Sequence, residues 1–177
     1  MVEFICIKND DKIKELANLA KTIWNEYWVC LLNQAQIAYM VENFQSYEAI
    51  KKQIQNENYI YKIILENGEK AGYFGVSIKD KKAWESDNPD IGFKYLFLSK
   101  LYMKKEFRGK GLGRKTFNEV CKIADETGVK FIYLTVNKNN INTIKSYEKW
   151  GFKTVETAVT DIGCGFVMDD YIMCYEI

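Results

Sequence analysis

The chain has 177 residues, 47% hydrophobic and 15% aromatic, enough for the core of one ordinary domain without disulfide or metal staples. Lys and Arg number 25 against 24 Asp and Glu, a net charge of +1, which excludes the strongly basic footprint of a dedicated nucleic-acid binder. There is no histidine, so Ser-His-Asp and Cys-His nucleophilic systems are excluded, together with nearly all catalytic zinc arrangements.

The chain starts Met-Val-Glu-Phe-Ile-Cys-Ile-Lys, and Val2 to Lys8 alternates as a short strand does. That start lacks a basic segment followed by an apolar one, so no signal peptide is expected. No run of ~18 apolar residues predicts a membrane span. The five cysteines are scattered with no CxxC pair, and they read as reduced thiols of a cytoplasmic protein. Cys164, set between two glycines, is a candidate nucleophile, although a free cysteine more often fills core space.

Asn9-Asp10-Asp11 predicts a helix N-cap. Beyond it Ile13, Leu16, Ala17, Ala20, Ile23, Trp24 and Tyr27 recur at helical spacing. A second helix is predicted over 34–44. A third is predicted over 46–55, with Ser46 and Ala49 three apart at its start. Tyr59 to Leu65 and Ala71 to Ile78 read as strands joined by the turn signal Asn67-Gly68.

A polar cluster around the single proline, Pro89, reads as a surface loop. A long apolar strand follows over 92–103, then a glycine-rich segment. A helix comes next, carrying Phe117, Val120, Cys121 and Ala124 and stopping at Gly128. Phe131 to Val136 is apolar on both faces, as a central strand is. A helix over 140–150 ends at Gly151, and two strands near 152–159 and 166–176 close the chain. The order is β, α, α, α, β, β, β, α, β, α, β, β. The strand–helix–strand over 92–136 is a crossover joining parallel neighbours, and the remaining strands are antiparallel. The fold class is therefore α/β (α+β mixed), a mixed sheet with helices on its faces.

Arg108-Gly109-Lys110-Gly111-Leu112-Gly113 lies between a strong strand and a strong helix. Glycines let the backbone approach a ligand closely. The unpaired N–H groups and the dipole of a helix start favour an anion, and Arg108, Lys110 and Arg114 add positive charge. These features fit a pyrophosphate. The Walker A and Rossmann spacings both fail, because Gly113 is followed by Arg114-Lys115-Thr116 and the glycines read GxGxG. The bland alternative is a tight turn with a solvated basic helix start. A second element, Leu134-Thr135-Val136-Asn137-Lys138-Asn139-Asn140, ends a strand and opens a helix. Its asparagines read as caps. Tyr147 lies two turns along on the face of Asn140, where a tyrosine is more often core than catalytic.

The two elements in this order resemble the GNAT superfamily of N-acetyltransferases. Arg108, Gly111 and Gly113 match its first motif, in which Arg or Gln precedes a glycine by three residues and a second small residue by five. Leu134, Val136, Asn140, Tyr147, Glu148, Gly151 and Phe152 match its LxVxxxNxxAxxxYexxGF pattern, with Thr143 in place of the alanine. The element order agrees over nearly the whole chain. The resemblance implies a single acetyltransferase domain over 1–177, with a splayed pair of parallel strands and acetyl-CoA as co-substrate without a metal. It implies that backbone groups of Leu101 and Met103 meet the pantetheine and acetyl carbonyl. The amides of Arg108, Gly109, Lys110, Gly111, Leu112, Gly113 and Arg114 would hold the pyrophosphate, Asn140 would contact the cofactor, and Tyr147 would protonate the leaving thiolate.

The family often carries a carboxylate base on the strand before the motif. Here that strand, Lys94 to Met103, has no acid, so proton loss through ordered water is the preferred reading. Asp90, Asp161 and Asp170 are the other candidates. The acceptor is expected to be a primary amine of a small molecule, such as a polyamine, or of a peptide. In this fold the early helices wall the acceptor site. Their Trp24, Tyr27, Trp28, Tyr39, Phe44 and Tyr47 read mostly as core, with one or two available to stack on a cation. Thr160 to Asp170 gathers three acids near an expected glycine-rich loop, readable as an acidic rim or as a solvated turn. A homodimer is compatible with this reading, and neither nucleic acid nor membrane is expected as a partner. The rival readings are a non-catalytic acyl-CoA-sensing module on the same fold and a nucleotide-binding domain for ATP or NAD, which the motif spacing disfavours.

Overall fold

The computed structural model describes residues 1–81 and 93–177. The Pro89 loop, Asp90 and Gly92 lie outside the described residues. The elements are β1 (Val2–Cys6), α1 (Asp10–Tyr27), α2 (Gln34–Gln45), α3 (Tyr47–Asn56), β2 (Tyr59–Glu66), β3 (Glu69–Lys81), β4 (Phe93–Met103), α4 (Leu112–Thr127), β5 (Phe131–Asn137), α5 (Ile141–Trp150), β6 (Lys153–Gly163) and β7 (Phe166–Glu176). This is the order read from the sequence. Among the described residues the strands form one seven-stranded sheet, β1-β2-β3-β4-β5-β7-β6, flanked by helices. β4 and β5 are parallel, with Leu96 opposite Ile132 and Phe97 opposite Tyr133. β1 is antiparallel to β2, and β7 is antiparallel to both β5 and β6. No described helix is long and apolar enough to cross a membrane.

Local chemistry explains the boundaries. Asn9 Oδ1 accepts the Lys12 amide at 2.9 Å, Asn33 Oδ1 accepts that of Gln36 at 2.8 Å, and Ser46 Oγ accepts that of Ala49 at 3.2 Å. Each bond satisfies a donor that a helix start leaves unpaired. Asn67 (φ 53°) and Gly68 (φ 84°) both take the left-handed conformation, as the tight turn joining β2 and β3 requires. α4 ends where Gly128 turns to φ 69° and Val129 N–H reaches the Ala124 carbonyl at 3.2 Å.

The chain divides into two compact units, Met1–Val76 with Lys100–Phe117 and Ser77–Ser99 with Asn118–Ile177. The first is centred on Leu16, Ala20, Ile23, Ile37, Ile50, Tyr61, Ile64 and Phe74, all below 2% exposed. Its core holds one polar chain. Trp24 Nε1 donates to Tyr73 Oη at 2.9 Å, and Tyr73 donates to Gln45 Oε1 at 3.0 Å, so α1, β3 and α2 are joined where an unmade bond would be costly. The second unit is centred on Leu96, Val120, Ala124, Ile132, Leu134 and Met173.

The expected glycine-rich loop within Thr160–Asp170 is instead mostly strand. β6 continues to Gly163 and β7 begins at Phe166. Cys164 (φ 53°) and Gly165 (φ 77°) make the turn, because two successive left-handed residues match the twist of an antiparallel pair. Cys164 is therefore an exposed turn residue.

Close approach within the first unit gives a direct test. A Cβ on Gly72 would collide with the Tyr102 carbonyl oxygen and lie 3.0 Å from Met103 Cα. Backbone cannot yield as a side chain does, so Gly72→Ala is expected to lower the unfolding free energy by about 1–3 kcal/mol in urea titration.

Candidate functional site

In the first unit, β4 runs out at Met103 and a short 3-10 turn over Lys105–Phe107 leads into the glycine segment. Phe107 and Leu112, 9% and 1% exposed, anchor the segment at both ends. Gly109 (φ 74°) and Gly111 (φ 78°) are left-handed, and a Cβ on either would meet nothing within 4 Å. Their requirement is thus conformational, and the space beside them is open. The amides of Leu112 and Gly113 precede the first in-helix bond, which Lys115 N–H makes to the Gly111 carbonyl at 3.3 Å. The first turn of α4 carries no acid. These are the elements of an anion cradle.

The side chains around the cradle differ in availability. Arg108 Nε donates to the Met103 carbonyl and its Nη2 to Glu26 Oε1, both at 2.8 Å. Its guanidinium also lies 4.7 Å from the centroid of Tyr27. The same Glu26 oxygen accepts the Lys105 amide at 2.7 Å. Arg108 therefore fastens the loop to α1, and its charge is already balanced by Glu26. Lys110 Nζ lies 5.8 Å from the ring centroid of Phe107, and the Arg114 guanidinium 5.6 Å from that of Phe117. Lys104 N–H turns to the Ala71 carbonyl at 2.9 Å, so alternation along β4 directs the backbone groups of Leu101 and Met103 to the opposite edge.

In the second unit, Asn137 ends β5 and organises the turn after it. Its Oδ1 accepts the Asn139 amide at 3.0 Å, and its carbonyl accepts the Asn140 amide at 2.8 Å. The Asn140 carbonyl then accepts from Thr143 and Ile144, opening α5, while its side chain makes no cap hydrogen bond. The Asn137 side chain thus shapes the turn before α5, and α5 starts without a side-chain cap. Tyr147 is 7% exposed and packs edge to face against Trp150 at 5.4 Å and at a tilt against Phe152 at 5.5 Å. These rings fix its orientation on α5.

The acids of β6 and β7 are sorted by strand alternation. Asp161 Oδ1 accepts the Gly163 amide at 2.8 Å and so shapes the turn. Asp169 pairs with Lys138 Nζ at 2.5 Å. Asp170 faces the other side of the sheet, opposite Asn137 on β5 and Ala158 on β6. Its Oδ1 is buried without a hydrogen-bond partner. Burial, with the Asp169 charge adding to it and Lys138 opposing it, pushes the Asp170 carboxyl up to about 6. The three acids do not form one rim.

Among the early aromatics, Trp24 and Trp28 are buried at 3% and 4%. Tyr39 and Phe44 pack edge to face at 6.4 Å. The faces of Tyr27 and Tyr47 do meet cations, but these are the chain's own Arg108 and Lys51, at 4.7 and 5.3 Å. A cleft of about 560 Å³ in the first unit is lined by Lys14, Lys21, Asn25, Glu42 and Gln45 among others. Two lysines against one glutamate make it a poor receptor for a cationic amine. Sequence reasoning missed Glu26, which belongs to no motif, and read Asn137 only as one of the capping asparagines of the second element. Among the described residues no cluster of three His, Cys, Asp or Glu side chains could hold a metal.

The model of the acetyltransferase (GNAT) family matches residues 20–152. The probable spermine N(1)-acetyltransferase of Bacillus subtilis subsp. natto (strain BEST195) is 34% identical over 59 residues, 33% of this chain and 39% of that protein. The N-alpha-acetyltransferase 50 of Danio rerio is 33% identical over 100 residues, 55% of this chain and 59% of its own length. The chain thus spans less than two thirds of either relative. The crystal structure of the PaiA N-acetyltransferase from Thermoplasma acidophilum, in complex with coenzyme A, superposes with a TM-score of 0.75 at 19% identity. It covers 100% of this chain and 99% of that one, and the likeness is one of fold.

The Glu26 bridge carries its own test. Glu26→Ala removes the acceptor of an amide and of a guanidinium, and is expected to lower stability by about 1–2 kcal/mol. Glu26→Gln keeps a neutral acceptor and is expected to lose less. Chemical denaturation of the two variants beside the parent checks the order.

Proposed function

Because this chain belongs to the acetyltransferase (GNAT) family, we propose that it transfers an acetyl group from acetyl-CoA to a primary amine of a small molecule or peptide, by direct attack in a ternary complex. One observation carries the reading. Two left-handed glycines lead into a helix start without acids, beside open space, which is the chemistry a pyrophosphate needs. The amides from Arg108 to Arg114 hold that pyrophosphate, with Lys110 and Arg114 supplying charge. The backbone of Leu101 and the amide of Met103, whose carbonyl accepts from Arg108, lie on the edge of β4 away from β3 and meet the pantetheine and acetyl carbonyl, and Asn140 makes a further cofactor contact. The Thermoplasma relative in fold was solved with coenzyme A, which supports this assignment.

In this scheme residues 1–177 act as one acetyltransferase domain in the cytoplasm, and no metal takes part. Acetyl-CoA supplies an activated thioester when bound. The protein holds the amine in line with the carbonyl carbon, the largest contribution available to it. A strand N–H steadies the developing oxyanion. Tyr147, locked between Trp150 and Phe152, gives its phenolic proton to the departing sulfur. The relatives named for spermine and for N-alpha acetylation support an amine acceptor of either class, polyamine or peptide.

The test is release of CoA thiol from acetyl-CoA over a panel of spermidine, spermine and free-amino peptides, beside thermal shift with CoA, ATP and NAD. Stabilisation by CoA alone together with thiol release from one amine class is the expected result. Stabilisation by ATP or NAD, or no thiol release with any amine, overturns the reading. Tyr147→Phe is expected to lower kcat between about 10- and 100-fold. The CoA dissociation constant should stay within about twofold, checked by calorimetry.

A further inference from the structure

We propose that Asp170 receives the acceptor's ammonium group and takes its proton, making it the base of the transfer reaction. The inference rests on the acetyltransferase reading above and names the acceptor chemistry, a primary alkylammonium.

Asp170 stands out first by position. It lies opposite Asn137, the last residue of β5. β5 is a member of the parallel pair, and ligands of such sheets bind beyond the carboxyl ends of the strands. The turn that carries Asn140 begins at this same Asn137. Thr135, two residues earlier on the same face of β5, is exposed, while Asn137 itself is 7% exposed.

It stands out second by what it lacks. Its neighbour Asp169 is satisfied, with Lys138 Nζ at 2.5 Å and Lys138 lying 5.6 Å from the Tyr171 ring centroid on the same side of the sheet. Asp161 is satisfied by the Gly163 amide. Asp170 Oδ1 is buried with no donor, while the residue as a whole remains partly exposed. A carboxylate oxygen withdrawn from water without a donor is costly unless something arrives to meet it. An ammonium brings both charge and N–H donors. The charged groups around Asp170 fit that role. Across β5 stands neutral Asn137 and across β6 neutral Ala158, with Glu156 diagonal on β6. Lys138 is engaged by Asp169. Among the described residues no donor reaches Asp170 Oδ1.

The chemistry balances. The acceptor enters as R-NH3⁺ and gives one proton to the Asp170 carboxylate. The free amine forms its N–C bond to the acetyl carbon, and the C–S bond breaks with its electron pair on sulfur. The thiolate takes the proton of Tyr147, and the second nitrogen proton, lost to water as the amide forms, is balanced by the proton that water returns to Tyr147. The Asp170 proton is lost to water, leaving acetylated amine, CoA thiol and one H⁺.

The test combines kinetics with titration. For the parent, kcat/KM is expected to rise through a limb near pH 6, where Asp170 ionises. Asp170→Asn should lose that limb and about 10²-fold in kcat/KM at pH 7.5, with CoA affinity unchanged. Asp169→Asn should keep the rate at pH 7.5 within about twofold and move the limb to lower pH, because it removes a charge that raises Asp170 and releases Lys138, which lowers it. Folded Asp170 holds its proton more tightly than the unfolded chain, whose value is 3.8. The stability it contributes is present in acid and fades as pH rises from 3.8 to about 6. Asp170→Asn is therefore expected to raise Tm at pH 7.5 and not at pH 4. Carboxyl NMR of the parent adds a readout independent of turnover, since spermidine should lower the Asp170 midpoint. An Asp170→Asn enzyme within twofold of the parent, or a midpoint unmoved by spermidine, overturns the proposal. A parent that acetylates no amine overturns the function proposed above instead, while the NMR titration still decides the ammonium contact.

Discussion

The arrangement of chemistry in this chain follows from one constraint, the parallel pairing of Leu96 and Phe97 with Ile132 and Tyr133. Parallel neighbours cannot be joined by a tight turn, so the chain must cross over through a helix. That crossover is α4, and it gives each strand of the pair a carboxyl end from which the chain departs into irregular backbone. β4 departs into the glycine segment, where left-handed residues expose helix-start amides. β5 departs into the Asn137 to Asn140 turn. An antiparallel hairpin at this point would have closed both ends with turn hydrogen bonds and left no donors to use.

Alternation is the second constraint, and it divides residues that look equivalent in sequence. Asp169 and Asp170 are neighbours, but the pleat puts one against Lys138 and the other against Asn137. The first ends in an ion pair. The second has a carboxylate oxygen without a donor and a raised proton affinity. The glycine segment shows the same division along the chain. Arg108 is spent on Glu26, Tyr27 and the Met103 carbonyl, so it shapes the loop, while the backbone amides beside it face open space. Charge count alone gives Arg108 the same weight as Lys110 and Arg114.

Much of this was legible in the sequence, and the failures have physical causes. The twelve elements follow from apolar periodicity and from local signals whose bonds are made inside the segment, such as Ser46 to Ala49 or the left-handed Asn67-Gly68. The glycine spacing likewise reports a backbone conformation, which is a local property. Glu26 was invisible because its partner lies 82 residues away, and no local pattern encodes such a pair. The acids of 160–170 are readable from the sequence as a rim or as a solvated turn, because composition carries no face. Only the register of β6 with β7 decides which side each one takes. The length of that hairpin was missed for the related reason that three left-handed residues, Gly163, Cys164 and Gly165, can tighten into a turn what composition reads as a loop.

The absence of histidine gives these placements their functional weight. Moving protons at neutral pH normally falls to imidazole, whose unperturbed titration lies in that range. A chain without it must divide the task between a group that accepts and a group that donates. A carboxylate accepts usefully near neutrality only if its environment raises its proton affinity, and partial burial beside another acid does so at Asp170. A phenol stays protonated at neutral pH and can donate without adjustment, provided its orientation is fixed, as the rings of Trp150 and Phe152 fix Tyr147. The cost of the arrangement falls on stability at Asp170, where the fold keeps an unsatisfied oxygen that a better-packed residue would remove. A purely structural role gives no reason to keep that oxygen, whereas an incoming ammonium does.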